Sequence, residues 1–243
     1  MQDPRASRFL IVQTGHTLPQ LRPRHGDFPD WFRRGLGLRR DEVDIVHAHA
    51  GAELPDPGRH AGAIVTGSPA MVSERERWSE QTAAWLRAAV DAGLPVLGVC
   101  YGHQLLAHAL GGRVDYHPGG REVGTVCIER TDEADDDQLL GAAPRRFLAH
   151  ATHSQSVLEL PPGATALARS AHDPHHAVRY APHAWGLQFH PEFSLDAMRA
   201  YNRLPLRSNC VGACCESRGE APAPHARRLL RRFRGLARAA RRA

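Results

Sequence analysis

The sequence predicts an α/β fold, a three-layer sandwich in which helices cover both faces of a central, mostly parallel β-sheet. Two observations carry this prediction. Short apolar runs alternate with longer segments of helical periodicity along most of the chain, and such alternation is typical of parallel strands joined by right-handed crossovers. In the first half of the chain the runs are apolar throughout, as expected for strands covered on both faces.

Four strands are predicted in the first half, at residues 9–12, 42–47, 63–65 and 95–99. Between the third and fourth strands we expect a helix that Ser79 begins as its N-cap and that Gly93 ends, with Pro95 close behind. After the fourth strand, an apolar stripe through Leu105 and Leu106 predicts a helix that ends at residues 111–112.

The second half of the chain is richer in strand patterns. Strands are predicted at residues 124–129, 147–152, 164–170, 177–180 and 184–189. Ser194 is expected to cap a helix that extends to about Arg203. Segments 14–30, 50–61 and 131–146 carry Pro, Gly and acidic residues and are predicted to be loops.

Length and charge divide the chain into a body and an appendage. The 243 residues and 26.7 kDa correspond to one ordinary domain with a short extension. All 31 basic residues are arginine; residues 1–203 hold 21 of them against 24 acidic residues, and residues 204–243 hold 10 against 2. We therefore predict a main domain at 1–203 and an Arg-rich segment at 204–243. The absence of lysine excludes a P-loop lysine and a Schiff-base lysine.

The Arg-rich segment ends in an amphipathic helical pattern at about 224–243. We expect its apolar stripe to pack on the domain. Docking on anionic lipid, on nucleic acid or on an acidic partner is the alternative. Because Phe233 is its one aromatic residue, bases would find no stacking platform there, and nucleic acid is not expected to be the main ligand.

The sequence also predicts a cytoplasmic protein with free thiols. No apolar run approaches the roughly 18 residues of a membrane-spanning helix, and residues 9–12 are too short for a signal-peptide core. The five cysteines are odd in number and the chain is too long for a small disulfide scaffold, so free thiols are expected. They lie at positions 100, 127, 210, 214 and 215. We interpret the last three as incidental thiols.

The two histidine clusters are interpreted as surface or loop residues rather than metal ligands. These clusters are His47 with His49, and His172, His175 and His176.

The most informative segment surrounds Cys100. An apolar strand is followed by Gly98-Val99-Cys100-Tyr101-Gly102 and then by the apolar-faced helix, which is a nucleophile elbow with cysteine in place of serine. The sulfur would lie at a helix N-terminus, where the helix dipole favours the thiolate. The N–H of Tyr101 could bind a developing oxyanion. The alternative is a buried structural cysteine in a turn.

A second candidate segment follows about 90 residues later. His190 and Glu192 flank Pro191 at the end of the last predicted strand. In an extended segment residues i and i+2 point the same way, so Glu192 could orient the imidazole that takes the proton from Cys100. A third segment, Gly67-Ser68-Pro69, follows the third strand and could offer the N–H of Gly67 as a second oxyanion donor.

Together these segments resemble class I (triad-type) glutamine amidotransferases, and among them proteins similar to the glutaminase domain of GMP synthase. The resemblance covers about residues 8–203 and includes Leu110 to Val114 and Thr152 to Val157. It implies a flavodoxin-like fold and a triad of Cys100, His190 and Glu192. It also implies oxyanion donors at Gly67 and Tyr101, and contacts of Gln104, His153 and Ser154 with the glutamine head group.

The resemblance implies hydrolysis of the glutamine γ-amide through a γ-glutamyl thioester, with no metal or organic cofactor. The chain carries no Gly-x-x-x-x-Gly-Lys phosphate loop, and 204–243 is too short for a nucleotide-binding domain. Ammonia is therefore expected to pass to a separate synthetase subunit or to be released. A γ-glutamyl peptide hydrolase would use the same triad and stays open as the alternative. A catalytically silent binding protein of the same fold is a third interpretation.

Overall fold

A computed structural model describes residues 7–203 and 220–242. Its strands are β1 (Phe9–Gln13), β2 (Val43–His47), β3 (Gly62–Val65), β4 (Val96–Val99), β5 (Arg113–Tyr116), β6 (Glu122–Arg130), β7 (Arg146–His153), β8 (Gln155–Glu159), β9 (Thr165–Arg169), β10 (Ala177–Ala181) and β11 (Ala184–Leu187). Its helices are α1 (Arg22–His25), α2 (Phe28–Leu36), α3 (Arg77–Asp91), α4 (Tyr101–Ala109), α5 (Leu195–Asn202) and α6 (Pro224–Ala240). The predictions for Cys210, Cys214 and Cys215 lie outside the described residues.

Nine strands form one sheet in the order β2-β1-β3-β4-β11-β10-β9-β6-β7. The five strands from β2 to β11 pair in parallel, and the strands from β10 to β7 extend the sheet with antiparallel pairs. Strands β5 and β8 form a separate two-stranded sheet. The predicted α/β fold with a parallel central sheet is confirmed, and the antiparallel strands lie on one side of it.

The three layers follow from the alternation of side chains along the central strands. All five residues of β1 are buried; Phe9 and Ile11 pack into one core cluster, and Leu10 and Val12 pack into another. The first cluster contains apolar residues of α2 and α6, and the second contains those of α3 and α4. Since successive side chains of a strand point to opposite faces, the fully apolar β1 requires helices on both sides of the sheet.

Two element predictions are corrected by the structure, and one pair of strands is added to them. Helix α2 begins inside the predicted loop 14–30, where Asp27 and Asp30 form a capping box and Gly37 ends the helix in a left-handed conformation. Helix α3 begins at Arg77 rather than after a cap at Ser79, because Ser79 is buried and its hydroxyl bonds the Tyr101 hydroxyl at 2.6 Å. The pair β5–β8 was not predicted, because β5 is short and mostly exposed.

Helix α6 packs its apolar face on the rest of the chain, as predicted. Leu229, Leu230, Phe233 and Ala237 are buried, and the Phe233 ring meets the Trp185 ring edge-on with centroids 6.3 Å apart. On the outer side the Arg238 guanidinium lies 2.8 Å from the Glu42 carboxylate. The helix therefore completes one layer of the sandwich. The boundary between residues 203 and 204 stays a prediction.

Phe233→Ala is expected to lower the free energy of unfolding by about 3–5 kcal/mol, because it empties the space of a fully buried ring under the sheet. Denaturant unfolding of the full chain measures this. Arg228→Ala, at an exposed position of the same helix, is the control and should change stability by less than about 0.5 kcal/mol. Equal effects of the two substitutions would contradict the packing of α6.

Within residues 7–203 and 220–242, no helix combines the length and the apolar character that a bilayer-spanning segment requires.

Candidate active site

Cys100 occupies a strained turn between β4 and α4. Its φ is 52° and its ψ is −104°, a conformation that L-residues rarely adopt. The flanking glycines are required by close packing. A Cβ on Gly98 would lie 2.4 Å from the Gly102 carbonyl oxygen, and a Cβ on Gly102 would lie 2.3 Å from the Val65 carbonyl oxygen. The elbow predicted from the sequence is therefore present, with the sulfur at the first turn of α4.

Gly102→Ala is expected to destabilise the protein by about 3 kcal/mol or more, because the atom that its Cβ would strike is backbone and cannot rotate away. Thermal or denaturant unfolding measures the loss. Gly235→Ala on α6 is the matched control, since a Cβ there meets no atom within 4 Å. That change should leave stability unchanged or raise it by about 0.5–1 kcal/mol. Equal stability of the two variants would contradict the close approach of α4 to β3.

His190 and Glu192 form a buried pair beyond the end of β11. The His190 Nδ1 lies 2.7 Å from the Glu192 Oε1, and both side chains are almost fully buried. The imidazole also stacks on the Phe193 ring with centroids 4.1 Å apart. Because Nδ1 donates to the carboxylate, Nε2 is the atom that can exchange a proton; it has no hydrogen-bond partner among residues 7–203 and 220–242.

Cys100 and His190 stabilise each other's charged forms. Burial alone would lower the pKa of His190, but the charges of Glu192 and Cys100 raise it to about 10. Burial alone would raise the pKa of the Cys100 thiol, but the positive charge of His190, and more weakly that of His153, holds it below its usual value. At neutral pH the pair is therefore biased toward thiolate and imidazolium, the reactive form of a nucleophilic cysteine.

The Gly67 peptide lies beside this pair. The carbonyl of Thr66 accepts hydrogen bonds from the Gly102 N–H at 3.1 Å and from the Thr14 hydroxyl at 2.9 Å. Since the peptide between Thr66 and Gly67 is planar and trans, the Gly67 N–H points away from the Gly102 N–H and the Thr14 hydroxyl. A Cβ on Gly67 would lie 3.1 Å from the His190 Cε1 and 3.8 Å from the Cys100 Cβ.

The N–H of Tyr101 is at the start of α4, where helical N–H groups have no partner within the helix. Both predicted oxyanion donors thus adjoin Cys100, one directly following it in the chain and one beside it in space.

A pocket of about 330 Å³ opens onto the sulfur. Among its lining residues are Cys100, Tyr101, Gln104, His153, Ser154 and His190. The structure thus brings the predicted substrate-contacting residues to the same pocket as Cys100. The Gln104 Nε2 donates to the Gln155 carbonyl at 2.6 Å and to the Gln188 Oε1 at 2.9 Å. Both amide hydrogens are used, so Gln104 can offer a substrate only its Oε1.

Both ring nitrogens of His153 lie within hydrogen-bond distance of an oxygen atom. Its Nδ1 lies 3.0 Å from the Gln155 carbonyl oxygen, and its Nε2 lies 2.9 Å from the Glu122 Oε2. These contacts fix the orientation of the ring at the wall of the pocket that Cys100 also lines.

Glu122 also binds His176, whose Nε2 lies 2.7 Å from the same Oε2. His176 lies in the loop before β10, as expected from the sequence, but it is not a surface residue, because its side chain is fully buried to make this contact. Burial by itself would raise the pKa of Glu122, but the charge of His176 and the hydrogen bonds of both histidines hold it far below its usual value.

These three side chains bring their ligand atoms within 4.8 Å of one another and could approach a metal ion. Their spacings of 2.7 and 2.9 Å are those of direct hydrogen bonds.

Sequence reasoning missed Glu122, and it also missed Arg121, which lines the pocket and donates to the Thr152 hydroxyl at 2.7 Å. Arg121 follows a Gly-Gly turn, but only the fold shows which way this arginine faces.

Comparison with known proteins identifies the family. A family model described as "Glutamine amidotransferase class-I" matches residues 28–202. The chain is 44% identical over 131 residues to a glutamine-hydrolyzing GMP synthase of Thermomicrobium roseum, an alignment that covers 54% of this chain and 23% of that protein. It is 33% identical over 199 residues to the GMP synthase of Bacillus subtilis, covering 80% of this chain and 36% of that protein. The chain thus spans about a quarter to a third of the length of these relatives.

Solved structures agree in fold. A glutamine amidotransferase from Methylobacillus flagellatus superposes with a TM-score of 0.71 at 24% identity, covering 97% of this chain and 92% of that one. A glutamine amidotransferase from Thermotoga maritima gives a TM-score of 0.65 at 20% identity, with 80% of each chain covered. The resemblance read from the sequence is confirmed, and the chain belongs to the class-I glutamine amidotransferase family.

Proposed function

We propose that the protein hydrolyses the γ-amide of glutamine with Cys100 as nucleophile, His190 as general acid and base, and Glu192 as the group that orients His190. The observation that carries this proposal is the buried His190–Glu192 pair beside a strained elbow cysteine, at the floor of a pocket. An ordinary structural cysteine would need neither the positive φ nor a cationic partner.

The reaction proceeds in two halves. The Cys100 thiolate attacks the γ-carbonyl carbon, and the electron pair of the C=O bond moves onto oxygen, where the N–H groups of Gly67 and Tyr101 bind it. The C–N bond then breaks as the His190 imidazolium gives its proton to the departing nitrogen, which leaves a γ-glutamyl thioester and ammonia. His190, now neutral, takes a proton from water, whose oxygen attacks the thioester; glutamate leaves and the thiolate returns.

The pocket wall carries groups suited to an amino-acid head group. Arg121 offers a positive charge for the α-carboxylate. Gln104 retains its Oε1 as an acceptor for an N–H group. His153 and Ser154 lie on the same wall, so we propose that these four residues orient glutamine with its γ-carbon toward Cys100.

The ammonia is proposed to pass to a separate synthetase subunit. The relatives named above are GMP synthases of which this chain matches only 23% and 36%. The acceptor and its substrate therefore stay proposals, and so does the cytoplasmic location expected from the sequence. Release of free ammonia would make the protein a simple glutaminase.

Hydrolysis by the purified protein tests the proposal. Wild type and Cys100→Ala are given glutamine or a γ-glutamyl dipeptide, and ammonia or the released amino acid is measured. Cys100-dependent ammonia from glutamine is the expected result. Preference for the dipeptide would replace the proposal with the γ-glutamyl peptide hydrolase. No turnover together with a Cys100 that resists alkylation at neutral pH would favour the silent binding protein and overturn the enzyme proposal.

A further inference from the structure

Three histidines gather at the ends of the first two strands. Strands β1 and β2 pair in parallel with Gln13 opposite His47, so the chain segments that follow them leave the sheet at the same edge. His16 follows β1, and His49 lies in a single helical turn directly after β2. His16 also lines the pocket above Cys100. The cluster thus lies at the rim of the candidate active site and takes no part in the proposed reaction.

Hydrogen bonds fix which nitrogen of each ring carries the proton. The His16 Nδ1 lies 2.5 Å from the Asp27 Oδ2, and the His49 Nδ1 lies 3.0 Å from the Gln13 carbonyl oxygen. A carboxylate and a carbonyl only accept hydrogen bonds, so each Nδ1 must donate. In the neutral form of each ring, Nε2 is then the nitrogen with the free lone pair.

The Gln13 amide does not change this assignment. Its Nε2 lies 3.1 Å from the His16 Nδ1, but the Gly15 carbonyl at 2.9 Å and the Asp27 carboxylate at 3.3 Å are better acceptors for its two hydrogens. Its Oε1 faces the Nδ1 of His47 at 2.7 Å. His47 therefore shows the same pattern, with a proton on Nδ1 held by an oxygen.

The two Nε2 atoms face each other. The Nε2 of His16 lies 3.1 Å from the Nε2 of His49, and the rings meet edge to face. If both rings are neutral, two lone pairs face each other at this distance and repel, so either a proton in an N–H···N hydrogen bond or a metal ion must lie between them. Zinc binds imidazole nitrogen at about 2.0–2.1 Å, and a tetrahedral site separates two such nitrogens by roughly 3.3 Å. The observed spacing of 3.1 Å fits a direct N–H···N hydrogen bond, and it is also close to that of two ligands of one metal ion.

We propose that His16 and His49 bind one late first-row divalent metal ion, such as Zn²⁺ or Ni²⁺, through their Nε2 atoms at the rim of the pocket. Imidazole nitrogen is a preferred ligand of these ions. Asp27 and the Gln13 carbonyl supply the outer hydrogen bonds that hold ligating histidines in the correct tautomer. The His16 side chain is 46% exposed, so water or a ligand entering the pocket can complete the coordination.

Binding of Ni²⁺ alone to the full chain tests this site. Isothermal titration is done on wild type, His16→Gln, His49→Gln and the control His225→Gln, which removes a histidine from α6. Each substitution at the site should weaken the strongest Ni²⁺ binding by at least about tenfold, and the control should leave it unchanged. Circular dichroism checks that every variant is folded.

Two further measurements distinguish binding at His16 and His49 from binding at other sites. Cys100→Ala removes the active-site thiol as a competing ligand, and it should leave the strongest Ni²⁺ binding unchanged. A crystal soaked in Ni²⁺ should show an anomalous peak between the two Nε2 atoms. Equal Ni²⁺ affinity in wild type and both site variants, or a peak only at Cys100 or at Glu122, would overturn the proposal and leave a shared proton between the rings. The readout does not depend on glutamine hydrolysis.

Discussion

Cys100→Ala is expected to lower the rate of ammonia release from saturating glutamine by roughly 10⁴-fold or more. The reason is that the thioester route requires a nucleophile at the elbow, and no other cysteine lines the pocket among the described residues. The oxyanion donors and the pocket remain in the variant, so any residual rate reports binding and electrostatic stabilisation alone. A continuous coupled assay of ammonia, run at high enzyme concentration, measures the difference.

The control for this experiment is Cys127→Ala. Cys127 is an exposed cysteine on β6 and does not line the pocket, so its removal should leave the rate unchanged. Replacing Cys100 should also leave the fold intact, because the side chain is small and its hydrogen bond to the Thr152 carbonyl is long, with the sulfur 3.8 Å from the oxygen. A folded Cys100→Ala variant that retains more than about a tenth of the wild-type rate would refute the role of Cys100.

His190→Asn is expected to lower the same rate by roughly 10³-fold or more, because both the general acid and the general base are lost. Asparagine keeps an amide N–H close to the position of Nδ1, so Glu192 retains a donor instead of becoming an unpaired buried charge. The substitution therefore separates catalysis from stability. Rate and unfolding free energy are measured on the same preparation.

The same variant carries a pH prediction. In the wild type burial opposes the Cys100 thiolate, but the charge of His190 outweighs it and lowers the thiol pKa. Without His190, burial prevails and the pKa rises. The pH at which iodoacetamide alkylates Cys100 at half its maximal rate should therefore move upward by about one unit or more.

His183→Asn, at a half-buried position away from the pocket, is the matched control and should not move this pH. An unchanged midpoint in a folded His190→Asn variant would show that the imidazole does not stabilise the thiolate. The helix dipole at α4 would then remain as its source of activation.

The part of the fold that sequence predicts is the part governed by local pattern. Strands β1, β3 and β4 are buried on both faces and read as continuous apolar runs. Strand β5 does not, because Arg113, Asp115 and Tyr116 are exposed in a two-stranded sheet separate from the central sheet. Helix α2 was hidden by the polar and glycine residues before it, although its capping box at Asp27 and its terminal Gly37 were readable signals.

The candidate site divides in the same way. The Cys100 turn and the His190–Glu192 pair are each local in the chain and could be read from the sequence, whereas the meeting of Cys100 with His190, which the family resemblance implied, depends on the parallel pairing of β4 with β11. Glu122 could not be added, because its contact with His153 depends on the register of β6 against β7, in which the two residues lie directly opposite each other. Composition and spacing do not fix that register. The pairing of His16 with His49 likewise requires the parallel pairing of β1 and β2.

Trapping the covalent intermediate is the most direct test of Cys100 as the nucleophile. Wild-type protein is mixed with glutamine, quenched in acid within the first turnover, digested and analysed by mass spectrometry, with Cys100→Ala treated in parallel. We expect one γ-glutamyl group on the peptide that contains Cys100, and none on the corresponding peptide of Cys100→Ala. Steady turnover of glutamine with an adduct on another residue, or with unmodified Cys100 at every quench time and a rate that survives Cys100→Ala, would contradict it.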